Sequence, residues 1–204
     1  MAVLIHIVFM SLSFCFAQSS QSQSAQKIIP NFSQVAPGIY RGGNPIDRGQ
    51  GEDGISALKE VGINTIIDLQ GRDYQDALGN WFAADFEPGE LPENIQAEQQ
   101  FASHQKIRFV HQPLSSLAPV SDEEDEQIKA VLEILKDSSQ GPVFIHCEKG
   151  SDRTGLVVAL FRVLQQGWTA EQAMAEWEKF GHTNISRYFT GDLDTYFYQA
   201  IKND

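Results

Sequence analysis

The stretch from Val143 to Gln166 constrains this chain more than any other. A short apolar run, Val143-Phe144-Ile145, leads into ten residues of mixed polar type and then into a segment that is apolar nearly all round. Gly141-Pro142 turns the chain into the run, which has the length of a buried strand. Arg153 to Gln166 carries Leu156, Val157, Val158, Leu160, Phe161 and Leu164, a pattern that predicts a central buried helix. A strand that passes through a loop into a helix gathers the loop's backbone N–H groups and the positive end of the helix dipole at one point. Such a junction is an anion site.

The rest of the chain alternates in the manner of an α/β domain. Val35 to Arg41 reads as a short strand or hairpin, Asp53 to Val61 as a helix stopped by Gly62, and Thr65 to Leu69 as a buried strand. Asn94 to Gln105 reads as helix and Ile107 to His111 as strand. Ser121 to Asp137 reads as a helix opened by a Ser121/Glu124 capping box. Two more helices fit Thr169 to Phe180 and roughly Thr190 to Ile201. Gly71 to Glu93 has no sustained period and reads as a long loop suited to a lid, or as one containing a small helix around Asp76 to Asp85.

Residues 1–17 are apolar almost throughout, carry no Lys, Arg, Asp or Glu, and end in Cys15-Phe16-Ala17, the pattern of a secretory signal peptide. A Gln/Ser-rich stretch follows, so 18–30 is expected to be a flexible polar leader and 31–204 a single domain. The expected setting is periplasmic or secreted, with no stable membrane insertion once the signal is removed. Removal of Cys15 would leave Cys147 as the one cysteine, and an unpaired thiol in an oxidising compartment points to reactivity. The formal net charge of -12 argues against nucleic acid as a partner.

The loop reads His146-Cys147-Glu148-Lys149-Gly150-Ser151-Asp152-Arg153-Thr154-Gly155. Between Cys147 and Arg153 the backbone of Glu148, Lys149, Gly150, Ser151 and Asp152 can wrap a phosphate dianion, with Gly150 allowing a tight turn. Arg153 offers a planar bidentate fork. The field that holds phosphate also favours a thiolate over a thiol, so binding and nucleophile activation share one cause. Cys147 is then expected to attack phosphorus and form a cysteinyl-phosphate that water hydrolyses, with no metal or cofactor required. Thr154 can donate its hydroxyl to the departing sulfur, and His146 can brace the loop through its ring.

This loop resembles the signature of the protein-tyrosine phosphatase superfamily, in the variant carried by bacterial dual-specificity phosphatases. Asn31-Phe32 with Val35, Gly38, Tyr40-Arg41 and Pro45 is similar to the opening motif of the exported bacterial members. Leu58 to Leu69 is similar to their first helix and strand. The resemblance implies a central mostly parallel sheet of four to five strands flanked by helices, and a phosphomonoester hydrolase acting on phosphoprotein. Lys149 at the loop rim also resembles superfamily members that take inositol polyphosphates, and Arg72, Lys106, His182 and Arg187 are candidates to extend a basic surface. Arg41 reads as a structural ion-pair residue.

Superfamily members protonate the leaving oxygen with an Asp upstream of the nucleophile. Asp122 is the candidate here, although acids in a first helical turn also stabilise the helix dipole. Asp152 is the rival, able to act as acid, to orient water or to pair with a basic neighbour. Two other classes compete with the enzyme reading: a phospholigand-binding pseudophosphatase, and a rhodanese-like sulfur-transfer domain.

Overall fold

The computed structural model describes residues 22–46, 51–71, 73–75, 81–83, 91–115 and 119–203. Five strands form the main sheet: β1 (Ser33–Ala36), β2 (Ile39–Gly42), β3 (Thr65–Gln70), β6 (Arg108–Leu114) and β7 (Val143–His146). Their order is β1-β2-β7-β3-β6, with β1 antiparallel to β2 and every other pairing parallel. This is the mostly parallel α/β sheet implied by the resemblance. β7 lies at its centre, and His146 at its end pairs in register with Gly42 on one side and Asp68 on the other.

Alternation along the strands sorts the core into two layers. Ile66 and Phe144 face one layer, with Ile55, Leu58 and Ala102 from α2 (Asp53–Val61) and α3 (Glu93–His104). Ile67, Leu69, Val143 and Ile145 face the other layer. There they meet α4 (Asp122–Lys136), α5 (Asp152–Gln166), α6 (Ala170–Lys179) and α7 (Asn184–Asn203). Each fully buried Ile, Leu or Phe stabilises the fold by about 1.5–3 kcal/mol. α5 is covered on every side over most of its length because β7 carries it into the middle of the domain.

Three expectations change. The leader is not flexible over its second half: 22–28 form a helix, α1, whose Ala25 is buried, and Ile29 just beyond it is buried too. Partly buried Ile28 joins these two residues, making a narrow apolar stripe in a polar stretch. Packing against Phe32, Tyr40 and Phe144 outweighs the composition. α7 begins at Asn184 rather than near Thr190, because Gly191 lies inside the helix and weakens its local signal. In the 71–93 loop, β4 (Asp73–Gln75) pairs with β5 (Trp81–Ala83), so 81–83 is strand and not helix. The remainder of that loop, the lid reading with it, and residues 1–17 lie outside the described residues. β6 extends to Leu114 and tolerates Pro113 because it is an edge strand. No helix among the described residues is long and apolar enough to cross a membrane.

Candidate active site

β7 delivers Cys147, which is 2% exposed, to the base of a loop that ends where α5 begins at Asp152. Four consecutive loop carbonyls, those of Glu148 to Ser151, are each held by a donor from outside the loop. Asn44 N–H donates to Glu148 O at 2.9 Å, Asn31 Nδ2 to Lys149 O at 2.9 Å, and Arg41 Nη2 to Gly150 O at 2.7 Å. Trp177 Nε1 donates to Ser151 O at 3.0 Å. In a trans peptide the C=O and the following N–H point in opposite directions. Four consecutive carbonyls turned outward therefore turn the N–H groups of 149–152 inward, toward one point at the head of α5. Arg153 is buried at 4% exposure, with Nη1 donating to Leu114 O at 3.3 Å. The carbonyl at the end of β6 thus holds the guanidinium beside the loop.

Two glycines fit the loop to its surroundings. Gly150 has φ +73°, and a Cβ there would lie 2.4 Å from the backbone C and O of Gly42. A methyl group meeting backbone cannot be accommodated by a rotamer change. Gly150→Ala is therefore expected to cost about 1–3 kcal/mol of stability by overpacking. It should also lower kcat/KM by about 100-fold by displacing the amides, measurable by denaturant melts and steady-state kinetics. At Gly155 a Cβ would lie 2.0 Å from Trp177 Cδ1, so the last glycine of the motif is what lets the indole reach Ser151.

The charges beneath the loop are paired with care. His146 is fully buried, its Nδ1 3.3 Å from Cys147 O and its Nε2 2.8 Å from Glu98 Oε1 and 3.8 Å from Asp68 Oδ1. The Glu98 contact is close but bent out of hydrogen-bond alignment, leaving both Glu98 oxygens without an aligned donor. Burial alone would push the imidazole down, but Glu98 and Asp68 outweigh it and raise His146 to about 9. Burial pushes the Glu98 carboxyl up against the pull of His146. These three residues are the one group of metal-type donors gathered among the described residues, their ligand atoms within 4.8 Å of one another. The raised His146 accounts for them as a proton-bearing ion cluster that sets a cation under Cys147.

Arg41 adds a second cation. Burial lowers it to about 10, with Glu176 and Cys147 opposing the shift. Among the described residues it forms no ion pair; its guanidinium donates to Gly150 O and lies 4.0 Å over the Phe180 ring. A buried fork spent on a carbonyl and an aromatic face cannot be told from an ion pair by residue type alone.

The structure gathers Cys147, Glu148, Lys149, Gly150, Ser151, Asp152, Arg153 and Thr154 in one turn. Lys149 is exposed, and Thr154 Oγ1 is buried with no hydrogen-bond partner among the described residues. Asp122 is exposed at the head of α4, one of four acids in that turn. It lines a groove with Lys129, Leu160 and Tyr196 that includes no residue of the 147–153 loop. His182 is not part of a basic surface: it is fully buried, and Asp152 binds it. Lys106 is exposed in the turn after α3, while Arg72 and the side chain of Arg187 lie outside the described residues. Sequence reasoning missed Asn31, Asn44, Asp68, Glu98, Trp177 and Asp194. The one available signal was acidic Asp68 inside an otherwise apolar strand.

A buried thiol at the end of a central parallel strand, a loop whose carbonyls are tied away from it and a guanidinium at the next helix form an anion-binding type of junction. The sequence profile of the tyrosine phosphatase family matches residues 88–203, and the chain belongs to that family. It is 28% identical over 166 residues to inositol diphosphatase DSP2 of Arabidopsis thaliana, covering 74% of this chain and 62% of that protein. It is 37% identical over 59 residues to the dual specificity protein phosphatase TpbA of Pseudomonas aeruginosa, covering 28% of this chain and 27% of that protein. The chain thus spans less than two thirds of the length of these relatives. Its fold matches the crystal structure of the core catalytic domain of PP-IP phosphatase Siw14 from S. cerevisiae, with TM-score 0.55, 22% identity and coverage of 80% and 86% of the two chains. It also matches that of P. aeruginosa TpbA, with TM-score 0.59, 20% identity and coverage of 85% and 88%.

Proposed function

We propose that this chain hydrolyses phosphomonoesters through a cysteinyl-phosphate on Cys147 and needs no metal to do so. The carrying observation is the set of four outward carbonyls, which aims consecutive amides at the point Cys147 and Arg153 share. The sulfur attacks phosphorus in line while Arg153 and the amides hold the equatorial oxygens. Thr154 then donates to the sulfur as water releases phosphate. His146 and Arg41 place positive charge near Cys147.

A phosphorylated protein is the first substrate reading. The second, an inositol polyphosphate or diphosphate, is favoured by the extent of the matches, since the Arabidopsis inositol diphosphatase aligns with 74% of this chain and TpbA with 28%. Exposed Lys149 at the rim suits a ring bearing several phosphates. The test is phosphate release, with a chelator present, from phosphotyrosine and phosphoserine peptides, an aryl phosphate and inositol polyphosphates. Turnover that survives the chelator and is lost in Cys147→Ser supports the reading, and the preferred substrate selects between the two. Tight phosphate binding without turnover on any member of the panel would leave a phospholigand-binding module instead.

A further inference from the structure

Behind the loop lies a second chain of ionisable groups that the chemistry above does not use. His182 is 0% exposed, its ring stacked on Trp177 with centroids 4.1 Å apart and planes 15° from parallel. Each ring nitrogen meets a carboxylate: Nδ1 is 2.7 Å from Asp152 Oδ1 and Nε2 is 2.6 Å from Asp194 Oδ1. An ionised carboxylate only accepts hydrogen bonds. A ring with a carboxylate oxygen at each nitrogen therefore holds one proton more than a neutral imidazole between two carboxylates would carry, and that proton is shared along the chain. Asp152 immediately precedes Arg153 in the loop, and its side chain is 20% exposed; Asp194, on α7, is 23% exposed. The two ends reach solvent and the middle is sealed, so a proton can pass between bulk water and the loop while every group keeps its place. Trp177 locks the ring on one face and holds Ser151 O with its indole N–H, which fixes the chain to the loop.

We propose that Asp152–His182–Asp194 is a proton relay in which Asp152 is the catalytic acid and base, and His182 and Asp194 are positioning residues that charge it. The proposal rests on the phosphatase reading. In the first half-reaction the S–P bond forms and the P–O bond to the leaving group breaks. The electron pair stays on the leaving oxygen, which takes the proton of Asp152. In the second half-reaction a water oxygen bonds to phosphorus, the S–P electrons return to sulfur, and the water's proton goes to Asp152. The shared proton of the chain is thereby spent once and restored once per turnover. This assignment explains why the groove containing Asp122 need not open onto the loop.

The test compares kcat/KM, which reports the first half-reaction, on p-nitrophenyl phosphate and on phenyl phosphate, whose leaving oxygen needs a proton more. Asp152→Asn is expected to lose about 30-fold or more beyond its loss on p-nitrophenyl phosphate when assayed on phenyl phosphate. His182→Gln and Asp194→Asn are expected to show an extra loss of about 5-fold or more in the same sense. A clamp that only supports the loop would lower both substrates by one common factor in all three variants, and that result overturns the relay. A selective loss in Asp122→Asn, with none in Asp152→Asn, overturns it as well and gives the acid to Asp122. Should buried His182→Gln fail to fold, Asp194→Asn at the part-exposed end supplies the same comparison. A wild type without turnover, or Cys147→Ser with turnover intact, sinks the phosphatase reading itself and the relay with it. Cys147-dependent turnover with a common factor sinks the relay alone.

Discussion

Exchange of Cys147 for serine is expected to lower turnover of an aryl phosphate by about 10⁴-fold or more, while inorganic phosphate binds within about threefold of the wild type. The two effects separate because different atoms produce them. On the proposed mechanism oxyanion binding belongs to the amides of 149–152 and to Arg153, whose supports are Asn31, Arg41, Asn44, Trp177 and Leu114. None of these contacts involves the sulfur. Nucleophilicity belongs to the sulfur, and a serine hydroxyl is a far weaker acid and nucleophile in the same place. Isothermal titration with phosphate and a continuous assay on the same two proteins would check both halves. Equal loss of binding and turnover would mean that the serine had disturbed the cradle, and the role of Cys147 as nucleophile would then be unsupported.

Glu98→Gln is expected to destabilise the domain by about 3–5 kcal/mol, the usual cost of removing one member of a buried ion pair. That is a large part of the 5–15 kcal/mol that holds a typical domain folded. Glu98 is the nearer of the two carboxylates that raise His146 to about 9. With its charge gone, burial dominates, the ring gives up its proton, and Asp68 keeps a buried charge without a cation. The pH dependence has a definite sign. His146 holds its proton more tightly folded than unfolded, so its contribution is fully present below about 6.5 and is lost as pH rises through about 9. Glu98 is also shifted upward, so its contribution has the same sense. Urea unfolding of the wild type should show stability falling by roughly 3 kcal/mol between those limits, and Glu98→Gln should show a much flatter profile. A wild-type profile that is flat or rises with pH across the window would show His146 to be neutral in the fold.

What could be read in advance and what could not divide along sequence distance. The β7 strand, the loop and α5 are contiguous, and each letter from His146 to Gly155 has a reason within ten residues of its neighbours, so the strand, the loop and the buried helix were legible. The Ser121/Glu124 capping box was legible for the same reason. The groups that aim the cradle were not. Asn31 and Lys149 are 118 residues apart, Arg41 and Gly150 are 109 apart, and Glu98 reaches His146 from α3. Each side chain is of a type common in ordinary surfaces and turns, and only the parallel order of β2, β7 and β3 brings it to the loop. α1 was missed because a polar stretch with a narrow apolar stripe looks solvated until a partner surface is known. His182 was misread as a surface cation because nothing local marks a histidine that two distant carboxylates enclose.

The four outward carbonyls have a further consequence in time. Their donors come from residues 31–44, near the start of the described chain, and from Trp177, after the motif has been made. A ribosome that has just added Gly155 has made every letter of the signature, yet the indole that will hold Ser151 O is still unsynthesised. The thiol of a nascent or truncated chain is then an ordinary cysteine, slow with phosphoesters and selective for nothing. The cradle is fully supported only once Trp177 has joined the donors of residues 31–44. The molecule thereby certifies its own completeness before it becomes reactive.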